Sequence, residues 1–302
     1  MRTTVGRGRW RARLRALGAA LAAPAVLVWP GTAVAQADGA DSSVVTLAGQ
    51  GPTAYVLISG LVGGVHQFRR LSASLVVAGH RVVIVDPYRL SLDSADVTFD
   101  ALARRVDALL ARHGIDSARV VGHAHGAGVA LRLAAGSPAR VSALYFLDVG
   151  ALAEHRTKVF SSSLRFAPLV ARMPGGRGFV RRRYVAGVRE NAGRDEWLDA
   201  ATQRAYTEPL LARLAAAVAM VGRLAHARES RSLASVVDSV RAPITIILGD
   251  APHPSAPGDE EFTALAPLGD RLRVGRLAGV GHFPHQEAPE AVAAILLATG
   301  RP

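Results

Sequence analysis

The chain has 302 residues, of which 50% are hydrophobic and 20% charged, and its formal net charge is +12. This length predicts one large domain or two small ones, and the composition excludes a disordered or fibrous chain. The sequence contains no cysteine. Disulfide bonds, thiol catalysis and thiolate metal sites are therefore excluded.

Residues 1–35 have the pattern of a secretory signal peptide. Six arginines precede an apolar stretch, and Ala33 and Ala35 supply small residues for cleavage. The apolar stretch is shorter than the roughly 20 residues of a membrane-spanning helix. We therefore expect cleavage after Ala35, with Ala37 as a second candidate, and a periplasmic or secreted protein, with an uncleaved membrane anchor as the alternative. Cleavage would lower the formal charge from +12 to +6, a value that requires no nucleic-acid partner.

Six short apolar runs alternate with helical patterns along the remaining chain. The runs are rich in Val, Ile and Leu, which is typical of strands covered by helices on both faces. Alternating strands and helices predict an α/β fold with a doubly wound, mostly parallel sheet. The clearest helical pattern is 99–113, which Gly114 ends. The predicted strands are 54–59, 81–86, 119–122, 143–148, 244–249 and 272–277.

Residues 151–240 interrupt this alternation. They contain the helical stretches 196–206 and 210–227 but no buried strand. We interpret the region as a helical cap inserted between two parts of one core, 44–150 and 241–302. Its stretch 172–189 is rich in arginine, including Arg181, Arg182 and Arg183. A solvated face is the simpler interpretation, and contact with an anionic ligand, envelope lipid or polymer is the alternative.

Four motifs follow one another along the predicted core, at residues 56–64, 83–91, 120–128 and 281–290. As an ordered set they resemble the α/β-hydrolase family, of the esterase and epoxide-hydrolase type with a cap. The resemblance implies that the first motif is the strand and glycine loop of the oxyanion hole. It implies that the second is the next strand and its turn, the third the nucleophile elbow and the fourth the catalytic-histidine loop.

The third motif departs from the family at its apex. The family places a serine there, on a strained turn between a strand and a helix. This chain has Ala124 at that position, and a methyl group has neither a proton to give nor a lone pair with which to attack. Gly122 and Gly126 stand two residues to either side. They keep the small side chains that the turn needs.

The other catalytic positions are partly present. His282 matches the family's catalytic histidine, and the backbone N–H groups of Leu61 and His125 match its oxyanion donors, which do not depend on a side chain. The family's acid commonly follows the seventh strand, but that position holds Pro252, which cannot orient an imidazole. Asp148 and Asp250 are the candidate acids, and a site without any acid is the third alternative.

Two hypotheses about function follow from this resemblance. The first is a degenerate hydrolase that retains a pocket for a small apolar or ester-like molecule. The second is an active enzyme in which His282 is a general base and the oxyanion hole survives. A third alternative is an ordinary esterase in which Ala124 is an inactivating substitution. We expect no cofactor, no metal site and no nucleic-acid partner, and the sequence does not predict the oligomeric state.

Overall fold

The computed structural model describes residues 44–150, 152–153 and 165–298; the expected signal peptide lies outside them. One seven-stranded sheet forms the centre, in the order β1-β3-β2-β4-β5-β6-β7, with β1 antiparallel to β3 and all other pairs parallel. The predicted α/β fold class is confirmed. The strands are β1 Val45–Ala48, β2 Ala54–Ile58, β3 Arg81–Val85, β4 Ala118–His123, β5 Val141–Leu147, β6 Ile244–Gly249 and β7 Leu272–Leu277.

Helices connect the strands. Within the part of the chain that the structure describes, three short 3₁₀ helices lie at Gly64–Phe68, Pro138–Arg140 and Ala266–Arg271. The α-helices of the described residues are α1 Arg69–Val77, α2 Pro87–Leu90, α3 Phe99–Arg112, α4 His125–Gly136, α5 Ala167–Val170, α6 Gly176–Asn191, α7 Ala200–Ala212, α8 Leu214–His226, α9 Leu233–Ser239, α10 Asp259–Leu265, α11 Pro284–Glu287 and α12 Pro289–Ala298.

The central strands are covered on both faces. Along β2, Val56 and Ile58 belong to a core shared with α3, α4 and α9, whereas Tyr55 and Leu57 belong to a second core shared with α1 and α12. Successive side chains of a strand point to opposite faces. A strand between two helical layers must therefore be apolar at every position, which explains the continuous apolar runs in the sequence.

The expectation that all six predicted strands are buried on both faces is wrong for β7. Arg273, Val274 and Arg276 of this strand are exposed. The reason is its position at the edge of the sheet, where β6 is its only neighbour. The edge strand β1 at the opposite side was not predicted, since its four residues are too few to show a pattern.

The chain between β5 and β6 forms helices α5 to α9, with no strand among its described residues. Helix α7 begins after Asp199, whose carboxylate accepts from the Thr202 N–H at 2.7 Å. That start is four residues later than predicted, and the expected stretch 210–227 is divided at Arg213. No single described helix is long and apolar enough to cross a membrane, although α7 and α8 together pass that test as a pair bent by 83°.

Two glycines let β4 turn directly into α4. A Cβ added at Gly126 would lie 2.4 Å from the carbonyl oxygen of Ile58, and one at Gly122 would lie 2.6 Å from the Cα of Ala127. Both neighbours are backbone atoms of the sheet and helix, so they cannot move aside easily. The sequence requirement for small residues at this bend is thus a packing requirement.

Replacing Gly126 with alanine should destabilise the fold. We expect Gly126→Ala to lower the free energy of unfolding by about 1–3 kcal/mol, because the added methyl overlaps the end of β2. The control is Gly136→Ala at the end of the same helix, where an added Cβ meets nothing within 4 Å. It should be neutral or slightly stabilising. Denaturant unfolding of both variants measures this, and equal stabilities would contradict the packing argument.

Candidate functional site

Ala124 occupies the bend between β4 and α4. Its backbone angles are φ 49° and ψ −118°, a conformation that costs a residue with a side chain on the order of 1–3 kcal/mol. Its methyl group faces Gly60, where an added Cβ would lie 3.4 Å away. Asp148 is the other non-glycine residue with a positive φ in the described part of the chain. The two strained residues directly follow neighbouring strands. Backbone strain of this kind clusters at functional sites.

Asp148 contacts the imidazole of His282. Asp148 directly follows β5, His282 lies in the loop after β7, and Asp148 Oδ2 is 2.5 Å from His282 Nδ1. The other candidate acid, Asp250, is exposed and accepts from the Gly279 N–H at 2.6 Å. The structure therefore brings Asp148 to His282 and gives Asp250 a role in the turn before the histidine loop. The catalytic role of these residues stays a prediction.

A second histidine approaches the same carboxylate. The buried side chain of His253 places Nε2 3.4 Å from Asp148 Oδ2. Burial by itself raises the pKa of Asp148, but the hydrogen bonds from His253 and His282 outweigh it and hold the pKa below its usual value. Asp148 is thus ionised at neutral pH. Sequence reasoning missed His253 because it searched this loop for an acid; its position next to Pro252 was the available signal.

Asp148, His253 and His282 could also be considered as metal ligands, since their donor atoms lie within 4.8 Å of one another. Two ligands of a tetrahedral zinc ion, each about 2.0–2.1 Å from it, stand roughly 3.3 Å apart. The 2.5 Å between Asp148 and His282 is shorter than that. The contact is a charge-assisted hydrogen bond between an imidazole N–H and a carboxylate, so these two groups are paired with each other in this structure.

The side chain of His123 holds the histidine loop through a backbone carbonyl. Its Nε2–H donates to the carbonyl oxygen of His282 at 2.8 Å, and its ring packs against the ring of His285 at 4.4 Å. Burial, reinforced by nearby His282, lowers the pKa of His123 to about 3. The same two causes lower the pKa of His125 to about 4. Both rings are therefore neutral at physiological pH.

The predicted oxyanion donors follow the neighbouring strands β2 and β4. Leu61 follows Gly60 in the loop after β2, and His125 is the first residue of α4, where backbone N–H groups have no intrahelical partner. Gly150 also approaches closely, since a Cβ there would lie 3.3 Å from the His125 nitrogen. Leu61 and His125 thus stand at the same end of the sheet as Ala124. Their function as an oxyanion hole stays a prediction.

Two helices of the insertion between β5 and β6, α6 and α7, contact the glycine loop after β2. The N–H of Gly63 donates to the hydroxyl of Tyr184 on α6 at 3.2 Å. The ring of Tyr206 on α7 packs on Gly63, which leaves no room for a side chain there. The Tyr206 hydroxyl accepts from Gln286 Nε2 at 2.7 Å. Burial raises the pKa of both tyrosines, so both hydroxyls stay neutral.

Glu287 connects the histidine loop to the loop between α6 and α7. The peptide N–H of His282 also donates to the carbonyl of Asn191, at 2.8 Å. These contacts join segments more than 80 residues apart, and no local sequence pattern signals them. The Glu287 carboxylate accepts, at 2.9–3.1 Å, the backbone N–H groups of Gly193, Arg194, Gly281 and Phe283.

The neutral state of His123 predicts a loss of stability in acid. An unfolded histidine binds a proton below about pH 6.5, whereas folded His123 stays neutral down to about pH 3. The free energy of unfolding therefore falls as pH decreases across this window. Between pH 7 and pH 5, His123 should contribute roughly 2 kcal/mol of the fall.

Denaturant unfolding of His123→Gln at pH 7 and pH 5 measures this contribution. Glutamine keeps an N–H donor for the His282 carbonyl, so the pH-dependent loss should shrink by about 2 kcal/mol. Exposed His226 is the control, and His226→Gln should leave the loss unchanged. An identical loss in wild type and both variants would show that His123 does not carry it.

The Asp148–His282 hydrogen bond should be visible directly. We expect a downfield proton resonance from His282 Nδ1–H that disappears in Asp148→Asn and persists in Asp250→Asn. Asparagine tolerates a positive φ, so the change removes the charge and keeps the backbone. Loss of this bond to a charged acceptor should also lower the free energy of unfolding by about 1.5–3 kcal/mol. Persistence of the resonance in Asp148→Asn would contradict the pairing.

Comparisons with known proteins agree with this geometry. A family model described as alpha/beta hydrolase fold matches residues 54–176. A bacterial membrane phospholipase A is 21% identical, with a TM-score of 0.64 and coverage of 84% of this chain and 80% of its own. An alpha/beta hydrolase fold protein from Burkholderia ambifaria is also 21% identical, with a TM-score of 0.63 and coverage of 84% and 93%.

A putative lipase from Acinetobacter baumannii is 18% identical, with a TM-score of 0.62 and coverage of 84% and 86%. No curated protein matches the chain significantly. At these identities the solved structures show similarity of fold and not of activity. Together with the sheet order and the bend at Ala124, they confirm the resemblance that the four motifs suggested: the chain has the α/β-hydrolase fold.

Proposed function

We propose that the protein is a degenerate hydrolase that retains its site as a pocket for a small apolar or ester-like molecule. The observation that carries the proposal is Ala124 at the bend between β4 and α4. A serine hydrolase of this fold attacks from that position with the serine hydroxyl. Losing the serine of a catalytic triad costs on the order of 10⁶ in turnover in the best-studied case.

An apolar cluster beside His282 supports an apolar ligand. Phe283 follows His282 and packs against Trp197 of the insertion, with ring centres 5.4 Å apart. Apolar walls with a few oriented polar groups are typical of small-molecule sites. The polar groups here are the His282 imidazole and the backbone donors beside Ala124. The apolar cluster comprises Val185, Val188, Trp197, Leu198, Tyr206 and Phe283, with Val62 beside it.

A second candidate function is base catalysis by His282. The specific observation in its favour is the 2.5 Å contact with the ionised Asp148. When Nδ1–H faces this carboxylate, the lone pair lies on Nε2, where the ring can take a proton from water or from an acidic C–H. General base catalysis of this kind accelerates a reaction by about 10²–10⁴-fold. The substrate would therefore have to be reactive already.

Neither candidate requires a cofactor. Both are compatible with export by the N-terminal segment, which we propose as the route to a periplasmic or secreted location.

A serine placed at the bend tests the proposed function. We expect wild-type protein to resist labelling by a fluorophosphonate serine probe and to bind 4-nitrophenyl butyrate with a raised Tm. Ala124→Ser should be labelled and should hydrolyse the ester on the order of 10³-fold faster than wild type, because Asp148 and His282 are already paired. Ala124→Gly is the matched control, which lacks a hydroxyl and should remain unlabelled.

Each alternative outcome has a definite meaning. Labelling of the wild-type protein would overturn the interpretation of the bend. Turnover by wild type without labelling, abolished in His282→Ala, would favour base catalysis over simple binding. A serine variant that is neither labelled nor active would show that the oxyanion donors are lost as well. Absence of any Tm shift would rule out this ligand class.

A further inference from the structure

One short segment of the insertion exposes several large apolar side chains. Their exposed fractions lie between 51% and 62%. The described part of the chain exposes six large apolar residues in all, and the other two, Val77 and Val274, lie far apart in sequence. An exposed apolar cluster of this kind marks an interaction surface more often than isolated residues do. The segment's exposed residues are Phe166, Leu169, Met173 and Phe179.

This segment is a compact turn. Helix α5 ends at Val170 and α6 begins at Gly176, which fits so closely that an added Cβ would overlap the Val170 carbonyl. The Met173 N–H donates to Val170 O, and the Gly176 N–H donates to Met173 O. The backbone therefore folds back on itself within a few residues. Its exposed apolar side chains belong to one structural unit.

The same segment is strongly cationic. Residues 165–189 contain seven arginines and no aspartate or glutamate. Six of the seven are exposed, and Arg181 is half-buried. The nearest acids are exposed as well: Glu190 lies 3.6 Å from Arg183, and Asp195 lies 2.9 Å from Arg189. Ion pairs between exposed side chains are weak, so these acids leave the arginines available to another anion. The exposed arginines are Arg165, Arg172, Arg177, Arg182, Arg183 and Arg189.

A surface that is apolar and cationic at once fits a particular partner. Anionic lipid headgroups attract arginine, and the boundary with the acyl chains accepts Phe, Leu and Met side chains. A free polyanion would use the arginines and leave the apolar side chains in water. A second copy of this chain would bring two arginine clusters together, which costs energy. The combination therefore favours a lipid bilayer over a soluble polymer or a dimer.

We propose that the segment 165–183 docks the protein onto the surface of a membrane that contains anionic lipids. Docking is peripheral: the apolar side chains enter the headgroup boundary and the arginines contact phosphate groups. Helix α6 runs from this surface to Tyr184, which holds Gly63 of the glycine loop. The docked protein would therefore present the candidate site close to the lipid. The proposal does not depend on the chemistry at Ala124.

Vesicle binding tests the proposal. The full-length gene is expressed, and the processed form that the host accumulates is purified identically for every variant. Sedimentation with phosphatidylcholine vesicles, with and without one-third phosphatidylglycerol, gives the partition coefficients. We expect binding to the anionic vesicles alone, weakening as salt rises. The double variants Arg172→Gln/Arg182→Gln and Leu169→Ser/Met173→Ser should each bind roughly tenfold more weakly.

The edge strand β7 offers a matched control. Arg273, Val274 and Arg276 are also exposed, so Arg273→Gln/Arg276→Gln and Val274→Ser should bind like wild type. Unchanged Tm values would show that all variants remain folded. Equal binding by wild type and both segment variants would overturn the proposal. So would a loss in the arginine variant alone, which indicates a soluble polyanion, or a concentration-dependent dimer that only Leu169→Ser/Met173→Ser dissolves.

Discussion

The close pairing of β4 and β5 places the bend and the acid side by side. The N–H of Ala124 donates to the carbonyl of Leu147, the residue immediately before Asp148. This single backbone bond brings together the two described residues that have positive φ without being glycine. Asp148 N–H in turn donates to Ile247 of β6. The sheet therefore fixes both strained residues, and a hydrogen-bond ladder supplies the energy that holds the strain.

The contacts that hold the site do not involve the side chain of Ala124. Asp148 orients His282, His123 supports the His282 carbonyl, and Glu287 secures the loop through four backbone N–H groups. Exchange of a hydroxyl for hydrogen at the bend would leave every one of them in place. Chemistry can thus be lost at Ala124 while the shape of the site persists, which is why a bound molecule and a lost nucleophile are compatible.

Much of the fold follows from the sequence, because its signals are local. Apolar runs mark the central strands, and the glycines two residues from Ala124 mark the bend. The edge strand β7 departs from expectation because exposure depends on the number of neighbours, which a run of six residues does not encode. The sequence did not decide between Asp148 and Asp250 as the candidate acid, for a related reason. Both end a strand, and only the course of the following loops decides which one meets His282.

The residues that sequence reasoning missed all act across long separations. His253 reaches Asp148, Tyr184 reaches Gly63, and Glu287 reaches the loop after α6. Apart from the proline beside His253, no spacing or neighbour distinguishes them from ordinary surface residues. Tyr184 and Glu287 make their contacts because the insertion packs onto the core, whereas His253 and Asp148 meet within the core itself. Packing of both kinds is a property of the whole chain.

The insertion, which is the chain between β5 and β6, is anchored to the core at two places, near its end and at the loop between α6 and α7. Near its end, the Glu229 carboxylate accepts from the N–H of Phe99, the first residue of α3, at 2.6 Å. It also lies 3.5 Å from the buried guanidinium of Arg132. A buried charge without its partner is costly, so this pair fixes the position of the chain that leaves α8. Glu287 holds the loop between α6 and α7 in a similar way. The inner face of the insertion therefore packs against the core. Its outer face, with the exposed arginines and apolar side chains, is left to contact something else.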